Sequence, residues 1–391
     1  MAVDFKYIVV GRGLMGAAAA RHLARQADGV AVIGPDEPDD RKAHQGVFAS
    51  HYDEGRITRT IDPDRNWALL ANRAIGRYRE IARDSGIDFY REVGCVVVAP
   101  DGSDYLERTR QAAVSLGVET RLLDEAGLKA AFPYFAFPDD AAGVFEAKGA
   151  GHISPRSLVK AQSLLAEKAG AAVIRDHAVS IRSEGGSAVV ETAGGRSYRG
   201  EKVLLAAGGF SIAKNLLPRP VAMTVYGRTV TLFEVSETDA LRLAAMPSLI
   251  LDVPGIHIYL LPPIRYPDGK FYLKIGGDPD DLVLGDEVAM RAWFKTEGRE
   301  IVRTYLNRIV EGLVPDMASL SISTAACVVS QTESGHPMIG YTSSPEIAVL
   351  TGCAGTSAKS SDEIGRLGAE LLLSGRISEQ GYSTDFTPQF R

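Results

Sequence analysis

Tyr7-Ile8-Val9-Val10-Gly11-Arg12-Gly13-Leu14-Met15-Gly16 lies near the start of the chain, and an Ala-rich stretch follows it. An apolar run, a glycine turn and a set of helix formers make the strand–turn–helix context in which G-x-G-x-x-G carries meaning. Gly11 permits the sharp turn, Gly13 lets a pyrophosphate approach the backbone, and Gly16 lets the helix pack close to the strand. The helix, expected over Leu14–Gln26, aims free N–H groups and a positive dipole end at the phosphates. Val30–Ile33 reads as a second parallel strand. The pattern predicts a bound dinucleotide.

Outward from this unit the chain alternates in type. A helix is expected at Arg65–Ser85, strand material at Gly86–Pro100, and helix over residues 102–132. Residues 147–151 read as a flexible switch. Another β-α-β unit follows, with helix Pro155–Lys168 and strand Ala171–Ile174, then strands around 179–198 and at Lys202–Ala207. Residues 220–276 alternate β-branched and aromatic positions, as strands of a separate antiparallel sheet do. A long helix is expected over 286–312. The α/β pattern returns with strand Ile347–Leu350, a glycine turn at Gly352–Gly355 and helix Ser360–Ser374. The expected fold class is α/β plus α+β: a Rossmann-like dinucleotide domain (1–86, 146–215 and 322–391) interrupted by an antiparallel-sheet substrate domain (87–145 and 216–321). A simple NAD dehydrogenase keeps its Rossmann unit contiguous, so the interruption points to a flavoprotein.

Composition narrows the class. The 391 residues are 45% hydrophobic with net charge −6, which gives no general attraction to nucleic acid or anionic membrane. No apolar run approaches a membrane span, and no charged-then-apolar leader precedes the first strand. Cys95, Cys327 and Cys353 form neither a disulfide framework nor a metal-type spacing. A cytoplasmic, metal-free protein is the expectation.

The stretches Val9–Gly16, Ser50–Arg59, Val203–Gly208, Leu273–Gly276, Cys327 with the run to Gly340, and Gly352–Lys359 give the chain a likeness over nearly its whole length. It resembles the D-amino acid oxidase superfamily and, within it, the monomeric sarcosine oxidase and N-methyl amino acid oxidase branch. The resemblance implies FAD, held by Gly11, Gly13, Leu14, Met15, Gly16, Ser50, His51, Tyr52, Arg56, Ala207, Gly208, Gly352, Gly355, Thr356 and Lys359. It implies covalent attachment through Cys327, a residue that on its own reads as a small buried core side chain. Arg59 and Lys359 fall where the family grips a substrate carboxylate; separately each reads as a solvated surface charge. Lys274 matches a lysine that promotes reduction of dioxygen, Arg56 a cation near the flavin ring, and Tyr259 an active-site tyrosine. A fixed cation suits that chemistry because electron transfer to O₂ develops negative charge. The implied reaction oxidises an N-substituted amino acid beside its nitrogen, in a monomer, with O₂ as co-substrate.

The sequence departs from the family at several points. The acidic residue that ends the second Rossmann strand and holds the adenosine ribose is replaced by Gly34, with Asp36 and Glu37 as the nearest substitutes. Tyr52, Asp278 and Thr356 stand where the branch has histidines, and Val329 where it has a tyrosine. Sarcosine itself is therefore not the expected substrate. The rival readings are a same-fold dehydrogenase passing electrons to a quinone or protein acceptor, an NAD(P)-linked reductase, and a non-catalytic flavin-binding subunit.

Overall fold

The computed structural model describes residues 3–378 and 381–391. The fingerprint stretch forms strand Phe5–Val10, paired in parallel with Val30–Ile33 on one side and Ser197–Leu205 on the other. Ala172–Ile174 and Ile347–Thr351 extend the parallel block at its two edges. Val30–Ile33 and Ile347–Thr351 are buried at every position, as unbroken apolar strands covered on both faces must be. Helices Leu14–Ala24 and Ser361–Ser374 pack on each other and on this sheet, and Pro155–Lys168 and Arg65–Ser85 pack against them. The Ala-rich first helix is nearly all buried, because small side chains let a helix sit close on both its neighbours.

Among the described residues the second sheet has nine strands. Its pairs are antiparallel except Cys95–Pro100 with Ser248–Val253. Thr224–Val235 is its longest strand; it pairs with Phe271–Gly276 on one edge and with Ser321–Gln331 along the other. The expected domain division groups residues 322–391 with the first sheet, yet Ser321–Gln331, which carries Cys327, lies in the second. A small third sheet joins Arg56–Thr58, Gly151–Ile153 and Tyr90–Arg91. Part of the stretch expected as a switch is thus a buried strand.

Helices Arg65–Ser85 and Pro155–Lys168 have the expected limits. Two expected long helices are each divided. Over 102–132 the helices are Asp104–Ser115 and Glu125–Ala131, and the chain between them supplies edge strand Arg121–Leu123, paired to Gly143–Phe145. Over 286–312 they are Glu287–Phe294 and Glu300–Leu313. The break holds Gly298 at φ +88°, where a Cβ would meet Thr229 at 2.5 Å, a conformation open to glycine alone. Among the described residues no helix is long and apolar enough to cross a membrane.

Candidate active site

The carboxyl ends of the parallel strands open on a cavity of about 330 Å³. Gly11, Gly13, Leu14 and Met15 line its floor, with Ser50, His51 and Tyr52 on one wall and Ala207 and Gly208 on another. The glycines divide their work as the turn requires. A Cβ on Gly11 would meet Ala206 O at 2.3 Å, and one on Gly16 would meet Gly11 O at 1.9 Å. Gly16 thus serves the packing and does not line the cavity. A Cβ on Gly13 would meet only His51 Nδ1, at 4.0 Å, so this backbone faces open space. The helix behind it has no side-chain cap and no acidic residue in its first turn. His51 Nδ1 is buried without a hydrogen-bond partner among the described residues. Burial, with help from Arg156, Arg12 and Arg56, pushes the His51 pKa down to about 3, so the imidazole is neutral.

Beside the cavity Arg56, Lys274, Tyr259 and Cys327 meet around a residue the sequence did not single out, Asp53. Leu273 and Ile275 are buried in the core of the second sheet; by strand alternation Lys274 points to the opposite face and is fully buried there. Its ammonium donates to Gly55 O at 2.7 Å and to Asp53 Oδ2. Asp53 also accepts from Arg56 and, at 2.8 Å, from the Tyr266 hydroxyl. Arg56 Nη2 lies 3.5 Å from Cys327 Sγ. The Lys274 Nζ stands 5.7 Å from the Tyr259 ring centroid. Burial first, then Arg56, pushes the Lys274 pKa well down; the carboxylate on its Nζ opposes both. On the Cys327 strand, Val328 and Ser330 face the cavity, so Cys327 is on the alternate face.

Arg59 and Lys359, 300 positions apart in sequence, converge on one buried carboxylate. Lys359 Nζ donates to Asp62 Oδ2 at 2.7 Å, and Arg59 Nη1 lies 3.3 Å from the same oxygen. That contact is not a well-aligned hydrogen bond, and Arg59 Nη1 has no other partner among the described residues. Burial lowers the Lys359 pKa to about 8 against the pull of Asp62, and the two cations hold the Asp62 carboxyl below its ordinary range despite burial. Glu146 lies close by, fixed by the Thr60 and Ile61 N–H groups at 2.8 and 3.0 Å. Neither cation lines this cavity; Ser357, two residues before Lys359, does.

The chain as a whole has counterparts among known proteins. The model of the FAD dependent oxidoreductase family (DAO) matches residues 6–371. The chain belongs to this family. Monomeric sarcosine oxidase of Bacillus sp. (strain B-0618) is 24% identical over 382 residues, covering 96% of this chain and 94% of the relative. N-methyl-L-tryptophan oxidase of Yersinia pestis (strain Pestoides F) is 27% identical over 218 residues, 55% and 56% of the two chains. The solved open form of NikD, described as an unusual amino acid oxidase essential for nikkomycin biosynthesis, superposes with TM-score 0.76 at 18% identity, covering 100% and 98% of the two chains.

The residues of this FAD-dependent oxidoreductase fit its cofactor. The bare Gly13 backbone, the uncapped helix end and the orphaned His51 nitrogen together present donors and space to a pyrophosphate. The acid expected at the end of the second strand is not recovered nearby. Gly34 and Pro35 line the cavity, while Asp36 pairs with Arg12 and with Arg175 at 3.1 Å, and Glu37 pairs with Arg156 at 2.7 Å. Asp278 accepts from Thr229 N–H at 3.2 Å and pairs with Arg299 at 3.3 Å, so it serves the sheet. Gly352, Gly355 and Thr356 shape the turn that delivers Cys353 and Ser357 to the cavity wall. Cys353 accepts from the Ser330 N–H at 3.3 Å and hydroxyl at 3.2 Å there. Asp53 and Asp62 carried no motif signal. Their position three residues from Arg56 and from Arg59, in a stretch rich in both charges, was the one available clue. Among the described residues no cluster of His, Cys, Asp or Glu could hold a metal ion.

Proposed function

We propose that this enzyme oxidises an amino acid, N-substituted at its amine, at the carbon next to nitrogen, and passes the electrons to O₂ to give hydrogen peroxide. One observation carries the reading: two buried cations from distant parts of the chain already hold a carboxylate between them, and Arg59 keeps an unsatisfied donor. Such a pair, planar guanidinium beside compact ammonium, recognises the carboxylate of an amino acid. The cationic surroundings favour the neutral amine, whose lone pair supports loss of hydride from the adjacent C–H. When bound, FAD supplies the two-electron acceptor for that hydride. The imine released hydrolyses in water. Lys274 and Arg56 hold positive charge beside the reacting region, and Tyr259 bounds it. Cys327, with the Arg56 guanidinium at its sulfur, is the residue we assign to covalent flavin attachment.

Anaerobic addition of a panel of N-alkyl amino acids tests the proposal. Bleaching of the yellow protein by these compounds, and not by the same amines without a carboxylate, is the expected result. A protein bleached equally by both, or by neither, refutes it. A second reading, a same-fold dehydrogenase, is favoured by Asp53. A carboxylate on the Lys274 ammonium weakens the field that stabilises charge on reduced oxygen. Peroxide yield under air decides between the two.

A further inference from the structure

Helix Glu287–Phe294 follows a strand of the second sheet, yet one of its faces lines the cavity of the first. Glu287, Arg291 and Phe294, at spacings of four and three, form that face. Its C-terminal end is fixed by two contacts. Phe294 stacks on Phe48 at 5.0 Å, and Trp293 Nε1 donates to Cys327 O at 2.8 Å. Asp286 caps the helix through the Ala289 N–H at 2.8 Å, so Glu287 is not needed for that task. Glu287 Oε2 is buried and has no hydrogen-bond partner among the described residues. A carboxylate oxygen withdrawn from water without a donor costs free energy unless a ligand supplies one.

The same helix reaches the end of the cavity at which the Rossmann acid is missing. Gly34 donates to Ile174 O at 3.0 Å, which places the end of the second strand beside the segment running to His177. His177 and Gly34 both line the cavity. A Cβ on Gly46, two residues before the Phe48 that stacks on Phe294, would lie 3.8 Å from His177, and Arg291 lines the same cavity, so this helix and that strand end are neighbours. Asp36 and Glu37 are engaged by arginines, as described above. The ribose hydroxyls of a bound dinucleotide are donors in need of an acceptor.

We infer that Glu287 accepts hydrogen bonds from the adenosine ribose of FAD, supplying from the second sheet's helix the carboxylate that strand Val30–Ile33 lacks. The inference rests on family membership and is independent of the substrate proposed above. It makes the adenosine half of the cofactor a tie between the two sheets.

The test is reversible binding to apoprotein in a Cys327→Ser background, read by flavin fluorescence. Glu287→Gln is expected to raise the Kd for FAD about 10- to 100-fold, the range for a hydrogen bond to a charged group. ADP, which carries the ribose without flavin and is read by its competition with FAD, loses affinity in the same proportion. FMN, which lacks adenosine, binds parent and variant equally. Glu287→Asp, which keeps the charge, retains more FAD affinity than the Gln variant. An unchanged Kd for FAD, or an equal loss for FMN, overturns the inference. Melting of the two apoproteins at the same temperature confirms that the fold is intact; a lower melting temperature for the Gln variant, with FMN binding also lost, counts against a ribose contact.

Discussion

Asp62→Asn removes one negative charge from between Arg59 and Lys359 with almost no change of shape. In the parent the three groups sum to one net positive charge; in the variant they sum to two. A substrate carboxylate placed between the same cations comes about 4 Å from Asp62 and is repelled by about 4 kcal/mol at an effective dielectric constant near 20. If half of that survives rearrangement, about 2 kcal/mol of affinity is recovered, or about 30-fold. Stability moves the other way. Removing one partner of a buried ion pair costs about 3–5 kcal/mol, and Asp62 is only 5% exposed. The assay is inhibition by propionate, a carboxylate with no amine, together with thermal melting. The variant is expected to melt lower, to bind propionate more tightly, and to regain melting temperature when propionate is added. A lower melting temperature with unchanged or weaker propionate inhibition refutes the reasoning: the three residues are then a structural triad and the carboxylate binds elsewhere.

Lys274→Met is expected to leave anaerobic flavin reduction intact and to slow reoxidation by O₂ about 100- to 1000-fold, the usual loss when one charge-stabilising group is removed; stopped-flow measurement of the two half-reactions checks it. After acid denaturation the yellow colour stays with the parent protein and with Cys353→Ser, and leaves with Cys327→Ser; colour lost from the Cys353 variant alone moves the attachment to the cavity-wall cysteine. Propionate inhibition has a defined pH dependence. Lys359 is an ammonium below its lowered pKa of about 8 and neutral above it, so affinity is full below about 8 and falls as pH rises through it. Lys359→Arg, which stays charged, removes that inflection.

Much of the fold was legible because its signals are local. The strand–turn–helix at Tyr7–Gly16 announces itself within ten residues, and it appears in place. Arg65–Ser85 starts at a side-chain cap on Asp64 and stops at a left-handed Gly86; both signals stand in the sequence. The divided helices were not legible. Arg121–Leu123 is a strand because the edge of Ala141–Glu146 is there to pair with it, and that edge is made by chain from elsewhere. The Cys327 strand joins the second sheet for the same reason: its partner, Thr224–Val235, is about a hundred residues away.

By itself the sequence determined that a strand, a glycine turn and a helix of the dinucleotide-binding pattern open the chain, and that positive charge stands at Arg56, Arg59, Lys274 and Lys359. It could not state the net charge of the sites, because that depends on which anions lie within a few ångströms. Only the tertiary structure set Asp53 against Arg56 and Lys274, set Asp62 between Arg59 and Lys359, and left Glu287 Oε2 without a hydrogen-bond partner among the described residues. Backbone conformation is decided by neighbours along the chain, whereas Coulomb energy is decided by distance through space.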